Sequence, residues 1–78
     1  MENTKKLETY DVVKEISHWM DGRLRQIRLM DLTNHIMDRL AEGDTAHMNL
    51  ADRHFIEVCV LHDYIIKCSV HGIVPRTR

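Results

Sequence analysis

The segment from Asn49 to His71, N-L-A-D-R-H-F-I-E-V-C-V-L-H-D-Y-I-I-K-C-S-V-H, is the longest apolar stretch of the chain and constrains everything packed around it. Its punctuation is that of one helix. Asn49 suits an N-cap, and Asp52 stands three places on, where a carboxylate meets the positive helix end. Gly72 supplies the C′ stop, with Pro75 just beyond. At about 100° per residue, Ala51, Phe55, Val58, Cys59, His62, Ile65 and Ile66 fall in one broad stripe. Ile56, Val60 and Tyr64 form a second ridge on nearly the opposite side. A helix that is apolar on two sides wants two partners. The broad stripe is expected to face the core. The ridge is flanked by Asp52, Arg53, Glu57, Asp63 and Lys67, the charged margins of a contact surface, and is expected to form a homodimer interface.

Upstream, Val12, Val13, Ile16, Trp19 and Met20 follow helical spacing from a possible N-cap at Thr9. Leu24, Ile27 and Met30 keep the same phase through Gly22, so the first helix is expected to tolerate that glycine at a cost of about 1 kcal/mol. Leu29, Leu32, Thr33, Ile36 and Leu40 form a stripe rotated by roughly 140° from the first, which requires a bend or break around Arg28–Asp31. Asp31 can then cap a second helix that stops at Gly43, and a loop to Met48 leads into the long helix. The expected fold is a single all-α domain over residues 1–78. It has three helices, the last long and central, and residues 1–7 and 75–78 are expected to be flexible, although Ile73 and Val74 can fold back on the core. With 78 residues and few aromatics, such a domain is marginal alone, which favours a dimer.

The formal charge is −1, from 11 basic and 12 acidic residues, which does not announce a nucleic-acid or membrane-surface protein. From the polar start M-E-N-T-K-K no signal peptide is expected, and no run is long enough to span a bilayer. Cys59 and Cys68 lie roughly 13 Å apart along one helix, too far for a disulfide, so free thiols and a cytoplasmic location are expected.

Three constellations invite chemistry. His62-Asp63, inside V-C-V-L-H-D-Y-I-I-K, resembles the core of the HD-domain metal phosphohydrolases, and His35 in L-T-N-H stands where that family carries its upstream histidine. The resemblance implies a metal held by His35, His62 and Asp63 that activates water. Ile66 occupies the place of the family's glycine, and no Asp or Glu follows Asp63 to complete the ligand set. A core-facing His62 beside a solvated Asp63 is the simpler reading, with a depressed imidazole pKa and a fold that loosens on acidification. Arg23, Arg25, Arg28 and Arg39 are the candidate phosphate contacts of a DNA-binding regulator, but Asp21, Asp31 and Asp38 are interleaved with them. A zinc site from Cys59, His62 and Cys68 lacks a closed four-ligand spacing, and a mid-helix Cys59 is not an activated nucleophile. No cofactor and no enzymatic activity are expected. The favoured reading is a small helical regulator, adaptor or inhibitor acting by protein–protein binding as a homodimer, with a bacterial or phage regulator as the analogy of scale. A DNA-binding regulator and a degenerate HD-type hydrolase are the alternatives.

Overall fold

The computed structural model describes residues 8–77. Three helices, α1 (Thr9–Asp21), α2 (Leu29–Leu40) and α3 (Leu50–Val70), account for the regular structure, with a 3-10 turn at Gly43–Thr45 and no strand among the described residues. The expectations for residues 1–7 and for Arg78 fall outside the described residues.

Local chemistry sets the ends of α3. The Asn49 side chain accepts a hydrogen bond from the Asp52 amide at 2.8 Å, and the Asp52 carboxylate accepts from the Asn49 amide at 3.3 Å. This reciprocal box satisfies two of the amides that a helix start leaves open. At the other end Gly72 takes a φ of +68°, the left-handed turn that only glycine adopts freely. The Ile73 amide then donates back to the Cys68 carbonyl at 2.7 Å, and Ile73 packs against the core.

The first helix stops earlier than its apolar phase suggests. It begins at Thr9 with Glu8 in the capping position, and it ends at Asp21 with Gly22 as its C-cap rather than running on to residue 28. Arg23 closes the end, its guanidinium donating to the Trp19 carbonyl at 2.6 Å and its amide to Met20 at 2.9 Å. Leu24 and Ile27 still reach the core, but from a turn. Hydrophobic phase says which side a residue faces and not whether the backbone between is helical. Asp31 does serve the start of α2, though as the third helical residue: Arg28 holds the capping position, and its amide donates to the Asp31 carboxylate at 2.9 Å.

Trp19 meets His35 and Glu15 meets Arg39, so α1 and α2 form an antiparallel pair. The third helix packs against both, most extensively against α1. Its buried residues are Ile56, Val60, Tyr64 and Cys68, which join Val12, Ile16 and Met20 of α1 and Leu32 and Ile36 of α2 in one core. The two faces of α3 are therefore exchanged relative to the sequence reading. The ridge expected at a homodimer interface is the core of the single chain, with Ile56 and Val60 at 0% and Tyr64 at 1% exposure. The stripe expected to be the core is open to solvent: Phe55, Val58, Ile65 and Ile66 are between 45% and 49% exposed. Tyr64 pays its burial cost by donating its hydroxyl to the Ile27 carbonyl at 3.3 Å.

The charged margins of the buried ridge tie α3 to its neighbours. Arg53 donates to the carbonyls of Leu40, Thr45 and Met48 at 2.7, 2.9 and 3.1 Å, fixing the loop that carries the 3-10 turn. Lys67 pairs with Asp21 of α1 and, at 3.2 Å, with Asp63. Burial pushes the Lys67 ammonium down, but the two carboxylates outweigh it and hold its pKa above the usual lysine value. Such long side chains bury their stems along apolar surface and spend their heads on partners. The tail is tied as well. The Leu29 amide donates to the Arg76 carbonyl at 2.7 Å, and the Arg76 guanidinium to the Arg25 carbonyl at 2.9 Å, so Arg76 is an anchored residue and not part of a flexible end.

Both cysteines are unpaired thiols, Cys68 buried and Cys59 partly exposed. A thiol reagent should therefore label Cys59 in the folded chain and Cys68 only on denaturation, without prior reduction. Equal labelling rates in the native state, read by intact-mass spectrometry, would show that the Cys68 end of the core opens.

Candidate functional site

The structure disperses the residues that suggested phosphate binding. Arg39 is only 9% exposed and is saturated by carboxylates. Its guanidinium donates to Glu15 of α1 at 2.6 Å, to Asp44 of the 3-10 turn at 2.8 Å and to Glu42 at 3.2 Å. The hydrogen bonds it donates to Asp44 and Glu15 raise its pKa, and in return they hold the Asp44 carboxyl below its usual range. Arg39 is thus the clasp of the α1–α2 pair and has nothing left for a phosphate. Arg28 forms a two-point pair with Asp31 at 3.0 and 3.1 Å, and Arg23 lies over the Trp19 ring at 5.0 Å. Arg23, Arg25 and Arg28 sit in and beside the connector at one end of the helix pair, and Arg39 lies well along α2. The four do not form the stripe that a continuous helix would have given them.

The metal alternative fares no better. His35 stacks flat on Trp19, ring centroids 3.7 Å apart and planes within 5°, between α1 and α2. His62 stands on the exposed side of α3, and Asp63 is paired with Lys67. Among the described residues, no group of three His, Cys, Asp or Glu side chains is placed to hold a metal ion. His35, His62 and Asp63 are not brought together, and the resemblance to HD-domain phosphohydrolases ends at the dipeptide. Sequence reasoning missed the Trp19–His35 stack, whose residues belong to different helices and carry no spacing signal.

The acid sensitivity expected of His62 moves to His35 for the same reason. His62 is exposed and cannot supply a buried neutral imidazole. Burial lowers the His35 pKa, with Arg23 and Arg39 acting in the same direction and Asp38 and Glu15 opposing. The unfolded chain then binds the proton more readily than the folded one. Stability should be full above the unfolded histidine value of about 6.5 and decline as pH falls below it. His35→Phe keeps a flat ring on Trp19 without a titrating group and should flatten that part of the melting-temperature profile. A slope that survives the substitution would assign the effect elsewhere.

What the fold does assemble is an apolar surface. Along α3, Ala51, Phe55, Val58, His62, Ile65 and Ser69 are all exposed, with Ile66 beside them. None of these seven is an Asp, Glu, Lys or Arg. Grooves run along both sides of the ridge they form. One, of about 410 Å³, is lined by Tyr10, Val13, Lys14 and Ser17 of α1 and by Cys59, His62, Asp63, Ile66 and Lys67 of α3. The other, of about 340 Å³, is lined by Ile36, Met37 and Leu40 of α2 and by Leu50, Arg53, His54 and Glu57 of α3. Tyr10 and Met37, both 63% exposed, and Leu50, 82% exposed, extend the apolar area across all three helices. Single exposed apolar residues are ordinary, but a contiguous patch of this kind marks an interaction surface. Among the described residues, no helix is long and apolar enough to cross a membrane. No protein family, curated protein or solved structure matches this chain, so its own geometry carries the functional argument.

Proposed function

We propose that this chain is a small cytoplasmic regulator, adaptor or inhibitor that acts by binding protein through the exposed face of α3. The observation that carries this reading is the row Phe55, Val58, Ile65 and Ile66, each nearly half exposed on a helix whose other side is fully engaged in the core. Water is a poor solvent for such a row, and association that removes it from water is favourable at about 25 cal/mol per Å². The exposed row itself carries no Lys or Arg, and Arg28, Arg39 and Lys67 are held by carboxylates. In this reading the chain works by binding rather than by chemistry.

The experiment is affinity capture from the native host with a tagged chain, comparing wild type with Val58→Arg and with Arg25→Glu. Proteins held by the wild type and by Arg25→Glu, but lost with Val58→Arg, support the reading. A captured set that is indifferent to Val58→Arg, or that disappears on nuclease treatment, overturns it in favour of another face or of nucleic acid.

A further inference from the structure

We propose that the occupant of the α3 face is a second copy of this chain, with the two α3 helices paired antiparallel about a twofold axis near Val60. The proposal rests on the protein-binding reading of that face and names its partner.

The spacing is the first reason. Ala51, Phe55, Val58, His62, Ile65 and Ser69 follow one another by alternating steps of four and three residues along the helix. That is the seam of a helix that meets another lengthwise, because a repeat of about 3.5 residues keeps its side chains in line over several turns. The seam also reads the same from both ends. Reversed on itself, it sets Phe55 of one copy opposite Ile65 of the other, Val58 opposite His62, and Ala51 opposite Ser69. Large side chains then meet large ones at the flanks, and the small residues close both ends. A twofold interface must be self-complementary in this way.

Charge is the second reason. The seam contains no Asp, Glu, Lys or Arg, so a face meeting itself opposes no fixed like charges at its centre. A strongly acidic or basic partner would find no counter-charge there. The sense of pairing follows from the seam and the helix dipoles. A parallel pair would set each His62 against the other His62 and align the two dipoles, whereas the antiparallel pair sets each His62 against Val58 and opposes the dipoles. The grooves against α1 and α2 flank the seam with apolar side chains, Val13 and Ile66 on one side and Ile36 and Leu40 on the other, and with charges of both signs, Lys14, Asp63 and Lys67 on the first and Arg53 and Glu57 on the second.

Light scattering of the wild type at tens of micromolar should give the mass of two chains, and a mass of one chain overturns the proposal. Val58→Arg should weaken association by about 100-fold or more, giving a one-chain mass with an unchanged helical circular-dichroism spectrum. Ile65→Lys, at a second exposed position, should do the same. A two-chain mass that withstands both substitutions would place the dimer on another face. The sense is tested with native residues: Cys59 lies on the seam's margin beside the axis, whereas Cys68 is buried. A short bismaleimide should join two wild-type or Cys68→Ser chains, and Cys59→Ser should abolish the joined species. A two-chain protein that cannot be joined through Cys59 overturns the antiparallel sense. A one-chain mass combined with loss of host proteins in Val58→Arg would sink the second copy and leave the protein-binding reading standing.

Discussion

Val60→Arg is expected to leave no folded chain at any concentration, whereas Val58→Arg, two residues away on the same helix, is expected to fold. Val60 is fully buried against α1 and α2, and Val58 is 49% exposed. An arginine at position 60 would place an unpaired charge inside the core, at a cost of several kcal/mol even after relaxation. It would also overpack a site built for a small branched side chain, adding about 1–3 kcal/mol. A domain of 78 residues holds only about 4–12 kcal/mol in total. Far-UV circular dichroism and urea melts at two protein concentrations separate the cases. If Val60 were instead at an interface between copies, Val60→Arg would yield a folded monomer, and that result would refute the core described above.

Replacing Arg39 by Met should lower the melting temperature by roughly 10–20 °C. Removing one partner of a buried ion pair costs about 3–5 kcal/mol. Here the three carboxylates are each more than half exposed, at 53% for Glu15, 62% for Glu42 and 52% for Asp44, so water takes up part of their loss. A cost of about 2–3 kcal/mol remains, and each kcal/mol moves the transition of so small a domain by about 4–8 °C. Arg39→Lys should fall between, because a single ammonium keeps the charge and loses the fork that reaches Glu15 and Asp44 together. The deficit should be full at neutral pH and shrink as pH falls below about 4, since Asp44 is held below its ordinary value by Arg39 and that stabilisation is lost on protonation. A melting temperature within a few degrees of wild type would mean that this clasp is replaced by solvent at no cost.

The acid limb described for His35 and the Arg39 clasp occupy different pH windows. The first opens below about 6.5 and the second below about 4. A melting profile with both substitutions in hand would therefore resolve two steps.

The candidate surface was legible in the sequence as a pattern and illegible as a position. The row of Phe55, Val58, Ile65 and Ile66 stood out by spacing, but it is the more apolar side of α3 and so reads as core. The narrower Ile56, Val60, Tyr64 ridge is the one the fold buries. Periodicity reports that a helix has two apolar faces. It carries no information on which of them two other helices will cover, because that depends on partners distant in sequence. The charges beside the ridge pointed the same wrong way. Arg53 and Lys67 look like the rim of an exposed contact, yet their heads reach the loop carbonyls and Asp21, across 13 and 46 positions of sequence. The Trp19–His35 stack and the Arg39 clasp were hidden for the same reason: each joins side chains on different helices.

By itself the sequence determined the helical class and the ends of the long helix, since Asn49, Asp52 and Gly72 act on backbone groups within a few residues of themselves. Such short-range hydrogen bonds and the left-handed turn at Gly72 need no other part of the chain. The rotation of α3 about its own axis was decided only in the tertiary structure, where α1 and, to a lesser extent, α2 pack against one side of it. The ridge Ile56, Val60, Tyr64 and Cys68 takes that side, with Lys67 and Arg53 in reach of their partners at its two ends, and the broader apolar face is left outward.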